Sequence, residues 1–228
     1  MLIEENTLPH SIIESAMLEI AEKMKGDGFR YLKSKMEIIK RTKNFVFRLM
    51  MQKDRWNRSG GPVVGWIHCS VSDAADEIHF WGKTLARSNS KVDQFENLPF
   101  YPENEYRKSI EIILSIVQGQ LLPFFRRFEN DLQALVNDIT DVGFSPFSGP
   151  QEYDAAYKIP IKFLEKYGDH EKMTAAFQNY YDRHQLSFVR RNLKNAIALL
   201  KEGKEVVSNG EKDYAEYAVK NHIELSYG

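Results

Sequence analysis

The chain reads as an α+β protein, with an N-terminal helix and a small antiparallel β-meander over about residues 31–71 followed by a mostly helical C-terminal region. Three observations predict this. Apolar residues recur at helical spacing up to about residue 25. After Phe29 the repeat shortens to two residues. From Pro102 helical spacing returns and holds to the C-terminus.

The first helix is announced by Ile12, Ile13, Ala16, Met17, Ile20, Ala21 and Met24, one apolar stripe at i, i+3, i+4 spacing. Pro9 stands near its first turn, where a missing N–H costs nothing, and Gly26 and Gly28 stop it. Residues 31–41 and 44–52 then alternate, with Phe45, Phe47, Leu49 and Met51 on one parity and Val46, Arg48, Met50 and Gln52 on the other. Thr42-Lys43-Asn44 is the turn between them. Residues 53–62 (KDRWNRSGGP) have the polar, Gly- and Pro-containing composition of a loop. Val63 to Val71 makes a third strand.

Asp73 is expected to cap a short helix carrying Ile78, Trp81 and Leu85. A long helix from Pro102 carries Tyr106, Ile110, Ile113, Val117 and Leu121, with a break or kink at Pro123, and another runs from about Phe124 to Ile139. Gly143 to Pro150 (GFSPFSGP) reads as a linker between an α+β domain, 1–142, and a helical domain or subdomain, 151–228. Helices are expected near 151–167, 170–184, 186–202 and 211–224, the first interrupted at Pro160.

Composition narrows the class. The 31 basic and 32 acidic side chains nearly cancel, so global charge calls for no polyanionic partner. Cys69 is the only cysteine, which removes any intramolecular disulfide. The first residues, MLIEENTLPH, lack the basic and apolar regions of a signal peptide, and the strongest apolar run, Ile110 to Leu122, is interrupted by Glu111, Ser115, Gln118 and Gln120. A cytoplasmic protein without a membrane span is the expectation.

Several stretches together resemble the bacterial domain-of-unknown-function family 4304. They are Gly28-Phe29 after a helix with two basic alternating strands ending in Gln52-Lys53, the strand Val63 to Val71, and Leu121-Leu122-Pro123-Phe124-Phe125 with Phe128 and Leu132. Phe163-Leu164-Glu165-Lys166-Tyr167-Gly168-Asp169, with Glu171 and Lys172, is similar to a Gly-Asp turn between paired helices that often accompanies that family. The resemblance spans roughly residues 11–182, with Asp54 in place of the Ser that the family would show after Gln52-Lys53. It implies a helix-flanked sheet and no established activity.

No residue pattern announces chemistry. The six histidines are scattered, and Thr174 stands where the second ligand of a zinc-protease motif begun by His170-Glu171 would be, so neither a metal nor a cofactor is expected. His68 and Cys69 are adjacent on a strand and point to opposite faces, which prevents a thiol–imidazole contact. His68 can share a sheet face with Trp66 and Ser70 as a binding surface, or the same residues can pack beneath a helix. Ser59-Gly60-Gly61-Pro62 lacks the Gly-Lys-Ser/Thr of a phosphate loop and leads into a strand.

Charge is distributed less evenly than its total suggests. Between Gly28 and Gly60 ten Lys and Arg face only Glu37 and Asp54, with Phe45, Phe47 and Trp56 interleaved. Cations beside rings suit a single-stranded nucleic acid, and cations on exposed strands also keep edges from pairing. In the loop, Arg55, Trp56, Asn57 and Arg58 stand out together, and Trp and Arg are the types enriched at interface hot spots. An exposed Trp56 marks a partner site; a Trp56 folded onto the sheet does not.

The candidate binding residues are therefore Arg48, Arg55, Trp56, Arg58, Trp66 and His68, and no catalytic residue is assigned. The leading expectation is a non-enzymatic, immunity-like or accessory protein that binds a protein partner. The alternative is a nucleic-acid-associated protein using the basic 30–58 region. A hydrolase or transferase would need His68 or His79 to meet a carboxylate from the helical part.

Overall fold

The computed structural model describes residues 3–4, 6–85, 98–142, 158–183, 187–207 and 210–227. They form two compact units, Met1–Arg126 and Arg127–Gly228. The expected linker at 143–150 and most of the stretch 151–160 lie outside the described residues.

In the first unit, α1 (Pro9–Met24) buries every position of its apolar stripe, Ile12, Ile13, Ala16, Met17, Ile20, Ala21 and Met24. A 3-10 turn, Lys25–Asp27, follows it. Gly28 closes that turn at φ 85°, donating its N–H to the Lys25 carbonyl in a left-handed conformation that favours glycine. The sheet is antiparallel, with its five main strands lying side by side in the order of the sequence. Its strands are β1 (Arg30–Leu32), β2 (Glu37–Arg41), β3 (Phe45–Lys53), β4 (Val64–Asp73) and β5 (His79–Leu85). A short β6 (Leu98–Pro99) pairs with β4 at Val64 and Gly65.

Two expectations are corrected here. The single strand expected over 31–41 is a hairpin, because residues 33–36 turn, with Met36 at φ 52°. The short helix expected after Asp73 is instead β5, so the meander has five strands rather than three. Asp73 does use its carboxylate locally, accepting the Ala75 N–H at 2.7 Å. That bond makes a tight turn in place of a helix cap, and the Asp76 carboxylate then accepts the Ile78 N–H at 3.0 Å. With Glu77 at φ 59° the chain reverses and pairs back onto β4. A left-handed residue at this position ends any helix.

Alternation along β3 places Phe45, Phe47, Leu49 and Met51 in the core. On that inner side α1 contacts β1, β2 and β3. The aromatic residues that open α3 (Leu122–Asn130) join the cluster. Phe125 lies 4.8 Å from Phe47, and Phe124 meets Trp81 edge to face at 4.9 Å. The preceding helix, α2 (Glu103–Ile116), is tied to α1 by the Tyr106 hydroxyl, which donates to Glu19 at 3.2 Å. Between α2 and α3 the backbone widens into a π-helical turn, Val117–Leu121, in which the Leu122 N–H reaches the Val117 carbonyl. Pro123 follows in the first turn of α3, so the expected disturbance is absorbed on its N-terminal side.

The second unit is helical, with α4 (Leu132–Val142), α5 (Ile161–Tyr167), α6 (His170–Arg183), α7 (Ser187–Lys201) and α8 (Lys212–Lys220). The Gly-Asp turn reads as expected, since the Asp169 carboxylate accepts the Lys172 N–H at 2.8 Å and caps α6. Phe128 meets Phe163 edge to face at 5.8 Å, and Phe177 stacks on Tyr217 at 5.9 Å. The buried Tyr180 hydroxyl donates to the buried Glu211 at 2.7 Å. Burial and that carboxylate push the Tyr180 hydroxyl well above its ordinary pKa.

Candidate interaction surface

The parity that buries Phe47 and Leu49 turns Arg48, Met50 and Gln52 to the opposite side of the sheet. Register then sets Ser70 beside Arg48, His68 beside Met50 and Trp66 beside Gln52, with Thr84 of β5 next to His68. Three of the expected residues, Arg48, Trp66 and His68, therefore share one face. Cys69, paired with Leu49, is buried on the inner side.

Hydrogen bonds organise this outer face. The Gln52 side-chain oxygen accepts from Trp66 Nε1 at 3.1 Å and lies 2.9 Å from His68 Nε2. An amide oxygen can only accept, so the imidazole proton is on Nε2. Nδ1 is then the acceptor for the Thr84 hydroxyl at 2.8 Å. Both nitrogens of the neutral ring are satisfied, and desolvation lowers the His68 pKa. The Trp66 and His68 rings meet edge to face at 6.5 Å.

Arg48 is engaged differently from the expectation that it would serve a ligand. Its guanidinium pairs with Glu77 at 3.0 Å and donates to Ser72 at 3.3 Å, and its side chain is only 19% exposed. Arg41 shares Glu77 at 3.5 Å and also donates to the Ala74 carbonyl. The β4–β5 turn thus carries a carboxylate that neutralises two of the cations counted on the strands. Lys33 pairs with Glu14 at 3.1 Å. Desolvation and the Arg48 charge lower the pKa of His79. The His79 ring fits against Gly82, where a Cβ would come within 2.8 Å of Cε1.

Arg55, Trp56 and Arg58 lie in the β3–β4 loop, beyond Gln52 and Trp66, and all three are exposed. Trp56 is 76% exposed, and the Arg55 guanidinium covers its ring at 4.9 Å. The loop around them is built. Asp54 accepts the Trp56 N–H at 2.8 Å. The Asn57 side chain takes the Val64 N–H at 2.9 Å and donates to the Val64 carbonyl at 2.8 Å, as a strand residue would. Gly60, at φ 67°, completes the reversal.

Four residues outside the candidate binding set hold this surface together: Gln52, Thr84, Glu77 and Asn57. Their roles follow from cross-strand register and loop closure, which carry no local signature. Among the described residues no group of three or more His, Cys, Asp or Glu could hold a metal ion, and no helix is long and apolar enough to cross a membrane. Comparison of the chain with protein-family models, curated proteins and solved structures returns no significant match.

Proposed function

We propose that this chain is a non-enzymatic interaction protein whose β3–β4 loop and outer sheet face receive an acidic surface of a protein partner. The observation that carries the reading is Trp56, a 76% exposed indole on a loop whose conformation is set by Asp54 and Asn57 rather than by the indole itself. Such a ring is pre-organised, so little ordering opposes its burial by a partner. Arg55 and Arg58, exposed on either side, have no ion pair with a described residue and favour carboxylates opposite. An immunity-type or accessory protein that caps an acidic patch on its target fits this chemistry. The Nε2 proton of His68 goes to the Gln52 amide rather than to a carboxylate that would orient and charge-stabilise the ring as a base, which supports binding over catalysis.

A single-stranded nucleic acid is the second reading, favoured by the exposed Arg55–Trp56 stack. It is weakened by Glu77, which occupies Arg41 and Arg48. Chemical cross-linking in the native host decides between them, comparing wild type with Trp56→Ala and Arg55→Glu. A protein adduct lost in both variants supports the proposal. Retention of an adduct in both variants, or its absence with wild type, ends it. Filter binding of single-stranded oligonucleotides that collapses between low and physiological salt would establish the second reading.

A further inference from the structure

A cleft of about 510 Å³ opens on the second unit between α6 and α7. Tyr181 and Asp182 line it from the last turn of α6, and Ser187, Arg190, Arg191 and Lys194 line it from α7. Three- and four-residue spacing brings the α7 side chains into one stripe, while Val189, Leu193, Ala196 and Ile197 are buried on the other side of the helix. By spacing alone that stripe would be the solvated flank of an amphipathic helix. The structure makes it one wall of a cavity, with α6 as the other.

The cavity is electropositive. Among the described residues that line it, Arg190, Arg191 and Lys194 face one carboxylate, Asp182, whose two oxygens each lie 3.0 Å from the Gln178 side-chain amide. Neither arginine has an ion pair with a described residue, although Arg190 is half-buried. Three cations that share one carboxylate keep a net positive charge, repel one another and are stabilised by an added anion. Lys194 is also held in place, its ammonium 4.6 Å over the Tyr227 ring, which packs edge to face on Tyr181 at 5.2 Å. The C-terminal segment that carries Tyr227 is fastened to α6, since Gln178 accepts the Ser226 N–H at 2.9 Å and donates to its carbonyl at 3.0 Å.

We propose that this cleft binds a small phosphate-bearing molecule. Two guanidinium groups offer the forked donors that match phosphate oxygens, and the ammonium adds a point charge. The volume falls within the usual range for small-ligand sites. A single-strand site would instead need cations and rings extended along a groove, and those here converge.

Calorimetric titration of the full chain with inorganic pyrophosphate tests this, with line broadening of the pyrophosphate phosphorus resonance as a second readout. Saturable one-to-one binding that weakens with salt is expected. Arg190→Gln and Arg191→Gln should each reduce affinity about tenfold, one charge-assisted contact apiece. Lys201→Gln, on the same helix outside the cleft, should leave affinity unchanged, and unchanged melting temperatures show that the variants fold. Absence of saturable binding, or affinity untouched in both arginine variants, overturns the proposal. Tighter binding of an oligothymidylate than of pyrophosphate, lost in the same variants, also overturns it and makes the cleft a nucleic-acid contact.

Discussion

The two faces of the sheet are made from alternate residues of the same strands, and they are held by different forces. On the inner face Phe47, Leu49 and Val71 are fully buried, and their stabilisation comes from apolar area and ring packing. On the outer face Gln52, Trp66, His68 and Thr84 are linked by directional hydrogen bonds that water can partly replace. One residue of displacement along β3 thus separates a position where volume matters from one where donor and acceptor identity matters. The loop beyond is a third case, in which the anchors are structural and the exposed ring is not.

The sharpest test of this contrast is Phe47→Ala, which should cost about 3–5 kcal/mol in denaturant unfolding, because a fully buried ring beside Phe125 leaves a cavity. A loss below about 1 kcal/mol would mean that the inner face is not the core. Asn57→Ala should cost about 1–2 kcal/mol by the same measurement, since both hydrogen bonds to Val64 are lost.

A smaller effect is expected from pH. Desolvation lowers the pKa values of His68 and His79 in the folded protein relative to the usual 6.5. As pH falls below that value the unfolded chain takes up protons first, so stability declines until the folded imidazoles also titrate. Melting temperatures at pH 7.5 and 5.5 should show the decline, and His68→Gln should flatten it. An unchanged slope would remove the neutral-imidazole network. The smallest effect belongs to Trp56→Ala, within about 0.5 kcal/mol of wild type, because the loop does not depend on the indole.

Much of this organisation was legible in the chain. The stripe of α1, the alternation of β3 and the opposite orientation of His68 and Cys69 follow from periodicity alone. β5 was not legible, because Asp73 imitates a capping residue while Ile78, Trp81 and Leu85 imitate a helical stripe. Only pairing with β4, together with Gly82 making room for the His79 ring, settles that segment as a strand. The turn over residues 33–36 was missed for a related reason. It reverses through Met36 at a positive φ, with no Gly or Pro to announce it. Of the six proposed binding residues, Trp56 has the exposure a contact needs, whereas Arg48 is committed to Glu77, a partner 29 residues away that no local pattern reveals.

Asn57 has a consequence for how this surface can change over time. By imitating a strand residue toward Val64 it closes the loop through its own side chain, while the side chains at positions 55, 56 and 58 stay exposed. Those side chains are an exchangeable cassette: a lineage or an engineer can rewrite them to address a new target while the scaffold beneath refolds as before.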